Sequence, residues 1–346
     1  MWTQFVFEAV VLPILGVFGL IGNVSLIGMF LKAEKKLNFH WLMILLAVYD
    51  TLLILLFVTV ITMPQLSEQY TSHGYYQCIA PIAMPLLQIS ITGSAYCTIG
   101  VSFERYMTVC HPFYMASHKW SAKRYVLPIV VFSIVYNTSR FFEFYTICEP
   151  QQSFHNDTII AEQDIGNYTY QIGVTALREH QVYVEVYIIG FNFLFNGLIP
   201  FSTIITLNAL MYKKIHKDVK TKTRWSLNFS LITRTKNSPI AITIPKAPQT
   251  DKNESSKSDD KSKMLRTKIN LILATVFILC NSIRWIPNTY ELLQIFSNSD
   301  FGEDLDLLIT KISHVSNCLL VLNSSVNFYI FYLSHHGLPF MSSKKN

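Results

Sequence analysis

The sequence predicts an all-α membrane protein: a seven-transmembrane helix bundle with its N-terminus outside and its C-terminus in the cytosol. Three observations carry this. Of 346 residues, 51% are hydrophobic and only 14% charged, where an average soluble domain carries about 25% charge. The charge is segregated, lying mostly between Lys213 and Lys268 and in a few short loops. Seven apolar runs separate these segments, and each exceeds the roughly 20 residues a helix needs to cross about 30 Å of hydrocarbon.

The runs cover approximately residues 5–31, 39–63, 79–109, 125–147, 183–212, 269–296 and 305–333. Unpaired backbone groups are not tolerated in lipid, so all seven are read as helices. With the N-terminus outside, 24 of the 28 Lys and Arg residues fall on the cytosolic side, as the positive-inside bias requires. Arg140, Arg178, Arg284 and Lys311 are the exceptions. The net charge of +6 is answered by anionic inner-leaflet lipid, and no nucleic-acid partner is implied.

The first run begins by residue 5 with no basic stretch ahead of it and no Ala-x-Ala-like cleavage site, so it reads as a signal-anchor. It carries Asn23 in "GLIGNVSLIG". The second, "LMILLAVYDTLLILL", holds Asp50 at mid-membrane. The third ends in "SFERYMTVCHPF", where Glu104 and Arg105 adjoin at the cytosolic boundary. The fourth leads into an extracellular loop, 149–182, with glycosylation acceptors at Asn156 and Asn167. The fifth contains Pro200 and runs into residues 213–263, which hold thirteen basic and five acidic side chains. That segment, with "PQTDKNESSKSDDKSK", reads as a disordered cytosolic loop. The sixth carries "RWIP"; the seventh brings Asn323, Ser324 and Asn327 onto one face before a short cytosolic tail, 334–346.

Cys78 opens the third run and Cys148 follows the fourth, both on the oxidising side, so a disulfide between them is expected. Ionisable and amide side chains at mid-membrane are costly and mark sites by default. Asn23 reads as interhelical hydrogen-bond glue. Asp50 with the seventh-run cluster reads as more, because glue does not require an acid.

Taken in order, "GN", "LAVYD", "ERY", Pro200, "RWIP" and "NFYIF" resemble the motifs of rhodopsin-like G-protein-coupled receptors over essentially the whole chain. The stretches "RYVLPIVVFSIVYNTSRFFEF", "TALREHQVYVEVYIIGFNF" and "IRWIPNTYELLQ" are similar to the FMRFamide-receptor-like group of invertebrate neuropeptide receptors. The resemblance implies a plasma-membrane, multi-pass receptor for an extracellular peptide ending in Arg-Phe-amide, coupled to a heterotrimeric G protein. A different peptide ligand is the alternative. A transporter is disfavoured by the lack of repeat symmetry, and no nucleophile–base or metal-ligand motif such as H-E-x-x-H suggests an enzyme.

By the same resemblance, Glu104 restrains Arg105, with Tyr106 beside it, until activation frees the arginine. Trp285 is the switch above the helix-kinking Pro287. Asp50, Ser94, Asn323, Ser324 and Asn327 match an internal sodium pocket, and their oxygens suit a hard cation; no other cofactor is implied. Phe331 stands where the class has a tyrosine, as does Asn208, leaving Tyr212 and Tyr332 as substitute partners for Arg105. For the ligand, Gln88, Glu143, Tyr290 and Glu291 form an acidic, aromatic outer cavity that suits an arginine. The competing reading is that Glu143 simply pairs with Arg140 one turn away, and Glu291 with Arg284.

Overall fold

The computed structural model describes residues 2–34, 37–117, 121–150, 168–235, 252–297 and 302–336. Helices α1 (Trp2–Leu31), α2 (Asn38–Leu66), α3 (Tyr75–Cys110), α4 (Lys123–Phe142) and α5 (Tyr183–Lys217) are long and apolar enough to cross a membrane. So is α7 (Glu303–His336) over its apolar length. The remaining span, α6, comes in two pieces, Lys252–Ser282 and Trp285–Ser297. Pro287 causes the break: it offers no N–H to the Ile283 carbonyl, which accepts instead from Ile286 N at 3.1 Å.

Helix α3 is the central post, packed against α2, α4, α5 and α6, while α7 packs on α1, α2 and α6. Large apolar side chains such as Val17, Phe18, Ile21 and Val24 point outward from α1. A water-facing helix would carry polar residues there; these form the lipid-facing belt of a bundle. Close helix approach rests on small residues. A Cβ on Gly19 would sit 2.3 Å from Ser325 Oγ and 2.6 Å from Ile54 Cδ1, so only glycine lets α1 seat between α2 and α7.

Three stretches widen into π turns: Val6–Val11 in α1, Val58–Thr62 in α2 and Tyr183–Leu198 in α5, the last interrupted at Asn192. Each ends within two residues of a proline, at Pro13, Pro64 and Pro200. The proline ring crowds the carbonyl one turn back and cannot bond to it, so the helix accommodates it with a wider turn.

Two expectations need correction. The fourth run does not stay helical to 147. Helix α4 tightens into a 3₁₀ turn at Thr138–Phe142, and residues Phe144–Pro150 form strand β1, antiparallel to β2 (Tyr168–Val174). The aromatic and β-branched run Phe144–Ile147 favours a pleated strand over another helical turn. The loop expected to be disordered over 213–263 is helical as far as Thr235 and again from Lys252. Neither portion contains a Gly or Pro, and each added residue closes another helical hydrogen bond. Residues 236–251, with Pro239, Pro245 and Pro248, lie outside the described residues, as do Asn156, Asn167 and the tail beyond His336.

Candidate functional site

At one end of α3 the Glu104–Arg105 pair is held inside the bundle. Glu104 is 5% and Arg105 2% exposed. Arg105 Nε donates to Glu104 Oε2 at 2.5 Å, and an Nη2 contact to the same oxygen completes the ion pair. The guanidinium carbon lies 4.6 Å from the Phe39 ring centroid. Phe39 meets Phe30 edge-on at 6.1 Å, and Phe30 meets Phe331 at 4.9 Å. Phe331 therefore belongs to an aromatic file ending on Arg105. Tyr106 reaches outward to His111 Nε2 at 3.2 Å. Tyr212 is exposed and stacks on His216, while Tyr332 is half-exposed and stacks on Phe328.

Nearby, Asn270 Nδ2 of α6 donates to Asn208 Oδ1 of α5 at 3.1 Å, both side chains buried. The position where the class resemblance led one to look for a tyrosine thus makes an α5–α6 clasp. Asn270 itself carried no sequence signal beyond being an amide in an apolar run.

Midway along the bundle, Asp50 is fully buried. Its carboxylate accepts from Ser94 Oγ and from Asn327 Nδ2, each at 2.6 Å. The Ser324 hydroxyl also lies against the carboxylate, while Asn23 Oδ1 has no hydrogen-bond partner. Asn23 Nδ2 donates to the Ser324 carbonyl at 3.1 Å. Ser94 and Asn323 also line a cavity of about 20 Å³ beneath Trp285, together with Asn281 and Arg284. That is room for one water or one small ion. The sequence-predicted set of Asp50, Ser94, Ser324 and Asn327 is therefore brought together, with Asn323 joining from the cavity wall. Hydroxyl and amide groups gathered on a buried carboxylate, next to a cavity with room for one small ion, fit a hard monovalent cation.

Trp285 packs edge-on against Phe193 at 4.8 Å and Phe201 at 5.5 Å. Gly197 leaves its ring room, since a Cβ there would come within 3.2 Å of Trp285 Cζ2. A tryptophan wedged between α5 and α6, just above a helix break, is a joint that repacking can move.

At the far end the β1–β2 hairpin covers the start of α3. Thr146 Oγ1 donates to the Gln77 carbonyl at 2.7 Å, and Tyr170 sits opposite Cys148 in the register. Cys78 and Cys148 are free, exposed thiols. Both lie close enough to Tyr170 to raise its phenol pKa, Cys148 foremost.

Beside the hairpin opens a cavity of about 230 Å³ between α2, α3, the end of α4 and the residues after β2. Gln88 and Glu143 line it with Arg140 and Arg178. Glu143 is 3% exposed. It accepts from Tyr183 Oη at 2.8 Å and has Arg140 Nε at 3.5 Å, so the Arg140 pairing foreseen as the competing reading is present. Tyr290 does not line this cavity: its hydroxyl donates to Asp306 Oδ1 at 2.5 Å, joining α6 to α7. The side chain of Glu291 lies outside the described residues.

Sequence reasoning did not single out Phe39, Asn270 or Arg178. For Arg178 a signal existed: it is one of four basic residues on the wrong side of the charge bias.

Comparison with known proteins places these features in a context. The family model described as "7 transmembrane receptor (rhodopsin family)" matches residues 22–331. A Drosophila melanogaster FMRFamide receptor is 28% identical over 330 residues, covering 93% of this chain and 50% of the relative. The Caenorhabditis elegans FMRFamide peptide receptor frpr-18 is 23% identical over 330 residues, covering 93% of this chain and 64% of the relative. The chain thus spans about half the length of the first relative and under two thirds of the second.

Proposed function

Because this chain belongs to the rhodopsin family of seven-transmembrane receptors, we propose that it is a plasma-membrane receptor for an extracellular Arg-Phe-amide peptide that activates a heterotrimeric G protein. The names of its relatives support the ligand class. The observation that carries the reading is the layout of α3. A polar cavity at Gln88 flanks one part of the helix, and the buried Glu104–Arg105 pair lies seventeen residues on, about 25 Å along the axis. Cavity and ion pair are thus joined by one helix, against which the broken α6 packs.

In this reading the hairpin end is outside and the Arg105 end cytosolic. The peptide contacts Gln88 and Glu143 in the cavity, with Tyr290 and Glu291 across the bundle. A disulfide between Cys78 and Cys148, not formed in this structure, would tether the hairpin to α3 in the native receptor, and glycans on Asn156 and Asn167 extend from the loop.

Peptide binding acts by population shift, favouring the conformation it binds more tightly. In the resting state Glu104 neutralises Arg105, the Phe39 ring covers the guanidinium, and the Asn208–Asn270 clasp holds α6 against α5. Repacking at Trp285, above the Pro287 break, lets the cytosolic part of α6 move away and breaks that clasp. The G-protein α subunit then enters beside Arg105 and Tyr106. Asp50, Ser94, Asn323, Ser324 and Asn327 would hold a sodium ion when one is bound, which neutralises the buried carboxylate and braces the resting packing.

The experiment is direct. Membranes bearing the wild type or Arg105→Gln are assayed for binding of Arg-Phe-amide peptides, nucleotide exchange, calcium and cyclic AMP. The variant should keep peptide binding and lose exchange. Full exchange in Arg105→Gln would remove that residue from the coupling role, and no response of the wild type to any such peptide would remove the ligand class.

A further inference from the structure

We propose that the cavity beside the β1–β2 hairpin is a carboxylate-binding subsite, with Arg178 and Arg140 as its donors. Among the described residues, two guanidinium groups line it with one carboxylate, that of Glu143. Glu143 is already answered from two sides, by Tyr183 Oη at 2.8 Å and Arg140 Nε at 3.5 Å. The described lining consequently keeps a net positive charge and favours an anion over a second cation.

Its donors are under-used. Arg178 Nη1 is a buried nitrogen with no hydrogen-bond partner, and Arg140 Nε has only the long 3.5 Å ion-pair contact to Glu143. The side chain of Arg140 is 12% exposed and lies over the Tyr187 ring at 5.4 Å; that of Arg178 lies over Phe144 at 5.9 Å. Aromatic faces fix both planar groups but accept no ordinary hydrogen bond from their edges. A buried guanidinium edge without an acceptor is unfavourable until a ligand supplies one. The group that fits a guanidinium fork is a planar carboxylate, taken by two parallel charge-assisted bonds.

Size limits what enters. About 230 Å³ is less than the roughly 300 Å³ at which pockets for whole small molecules begin. The subsite holds an acidic side chain of a larger ligand or a small free carboxylate. Arg140 and Arg178 also belong to the four basic residues that depart from the chain's charge asymmetry. On the peptide-receptor reading, on which the peptide source rests, the subsite selects peptides with an Asp or Glu in addition to their terminal Arg-Phe-amide.

The test has two arms. In the first, membranes bind Phe-Met-Arg-Phe-amide and extensions of it carrying one Asp, or one Asn, at one, two or three residues before the phenylalanine. At one position at least, the Asp peptide should bind wild type about tenfold more tightly than its Asn twin, the scale of one charge-assisted hydrogen bond. The gap should close in Arg178→Gln and partly return in Arg178→Lys. In the second arm, the melting temperature of the purified full chain is followed against glutarate and the neutral glutaramide. Stabilisation by glutarate alone, absent in Arg178→Gln, supports the subsite without any peptide. If that shift appears with no Asp preference, the subsite takes a free carboxylate. If it appears and no peptide binds, the peptide reading fails and the subsite stands. Equal binding of every Asp and Asn twin, together with no glutarate shift, overturns the proposal.

Discussion

Arg105 rests with its guanidinium carbon 4.6 Å from the centre of the Phe39 ring, so an α2 aromatic covers the charged end of α3. A partly desolvated cation–π contact contributes about 1 kcal/mol, equivalent to a roughly fivefold population shift. Phe39→Leu keeps the bulk and removes the ring's quadrupole. Agonist-free nucleotide exchange should rise about fivefold, as measured by GTP-analogue uptake in membranes; unchanged basal exchange would show that the ring does not restrain Arg105.

The Asn270–Asn208 bond makes a separable contribution. Asn270→Leu leaves the Asn208 carbonyl oxygen buried without its α6 donor, which costs about 1–2 kcal/mol and lowers the melting temperature of the purified chain. Replacing both residues with leucine removes the orphan as well, so the double variant should recover much of the loss. Additive losses in a double-mutant cycle would mean the two side chains do not interact.

Gly19 and Gly28 lie on the same helix, yet only the first is crowded. A Cβ on Gly28 meets nothing within 4 Å. Gly19→Val should therefore cost about 1–3 kcal/mol or prevent surface expression, while Gly28→Val is tolerated. Equal expression of the two would mean that α1 seats differently against α7.

Removing the charge of Asp50 tests the proposed cation site. In Asp50→Asn, peptide dissociation should no longer respond to exchanging sodium for N-methylglucamine at constant ionic strength, while the wild type should respond. A wild type indifferent to sodium would leave Asp50 as a purely structural hydrogen-bond acceptor.

The proposed Cys78–Cys148 disulfide predicts a pattern among variants. Cys78→Ala and Cys148→Ala should weaken peptide binding to a similar extent, and the double variant no further, because either change opens the same link. Labelling of the wild type by a membrane-impermeant maleimide at these positions would indicate free thiols in the native receptor.

Most of the bundle was legible because lipid allows so few backbone solutions. Length and hydropathy located the spans, and "RWIP" marked the sixth helix's break. The β hairpin was not legible in the same way: Phe144 to Ile147 is as apolar as a helix end, and only pairing with residues from 168 onward makes it a strand. The Asp50 cluster was visible because an acid has few reasons to be in hydrocarbon. The Arg105–Phe39 contact was hidden, since one phenylalanine among many says nothing about its neighbour. The arginines of the hairpin cavity were in plain view as departures from the charge bias, but their common destination depends on the fold-back of the roughly forty residues between α4 and α5.

The π turns ahead of Pro13, Pro64 and Pro200 all lie toward the hairpin end of their helices. Each wide turn offsets the side chains beyond it by about one residue, roughly 100° around the axis. The faces that α1, α2 and α5 present to a ligand are thus set by a different angular phase from the faces they present near Arg105. On the proposed receptor reading, a helix geared in this way lets substitutions remodel the sensing half while the transducing half keeps its alignment, so a change of ligand need not be a change of signal.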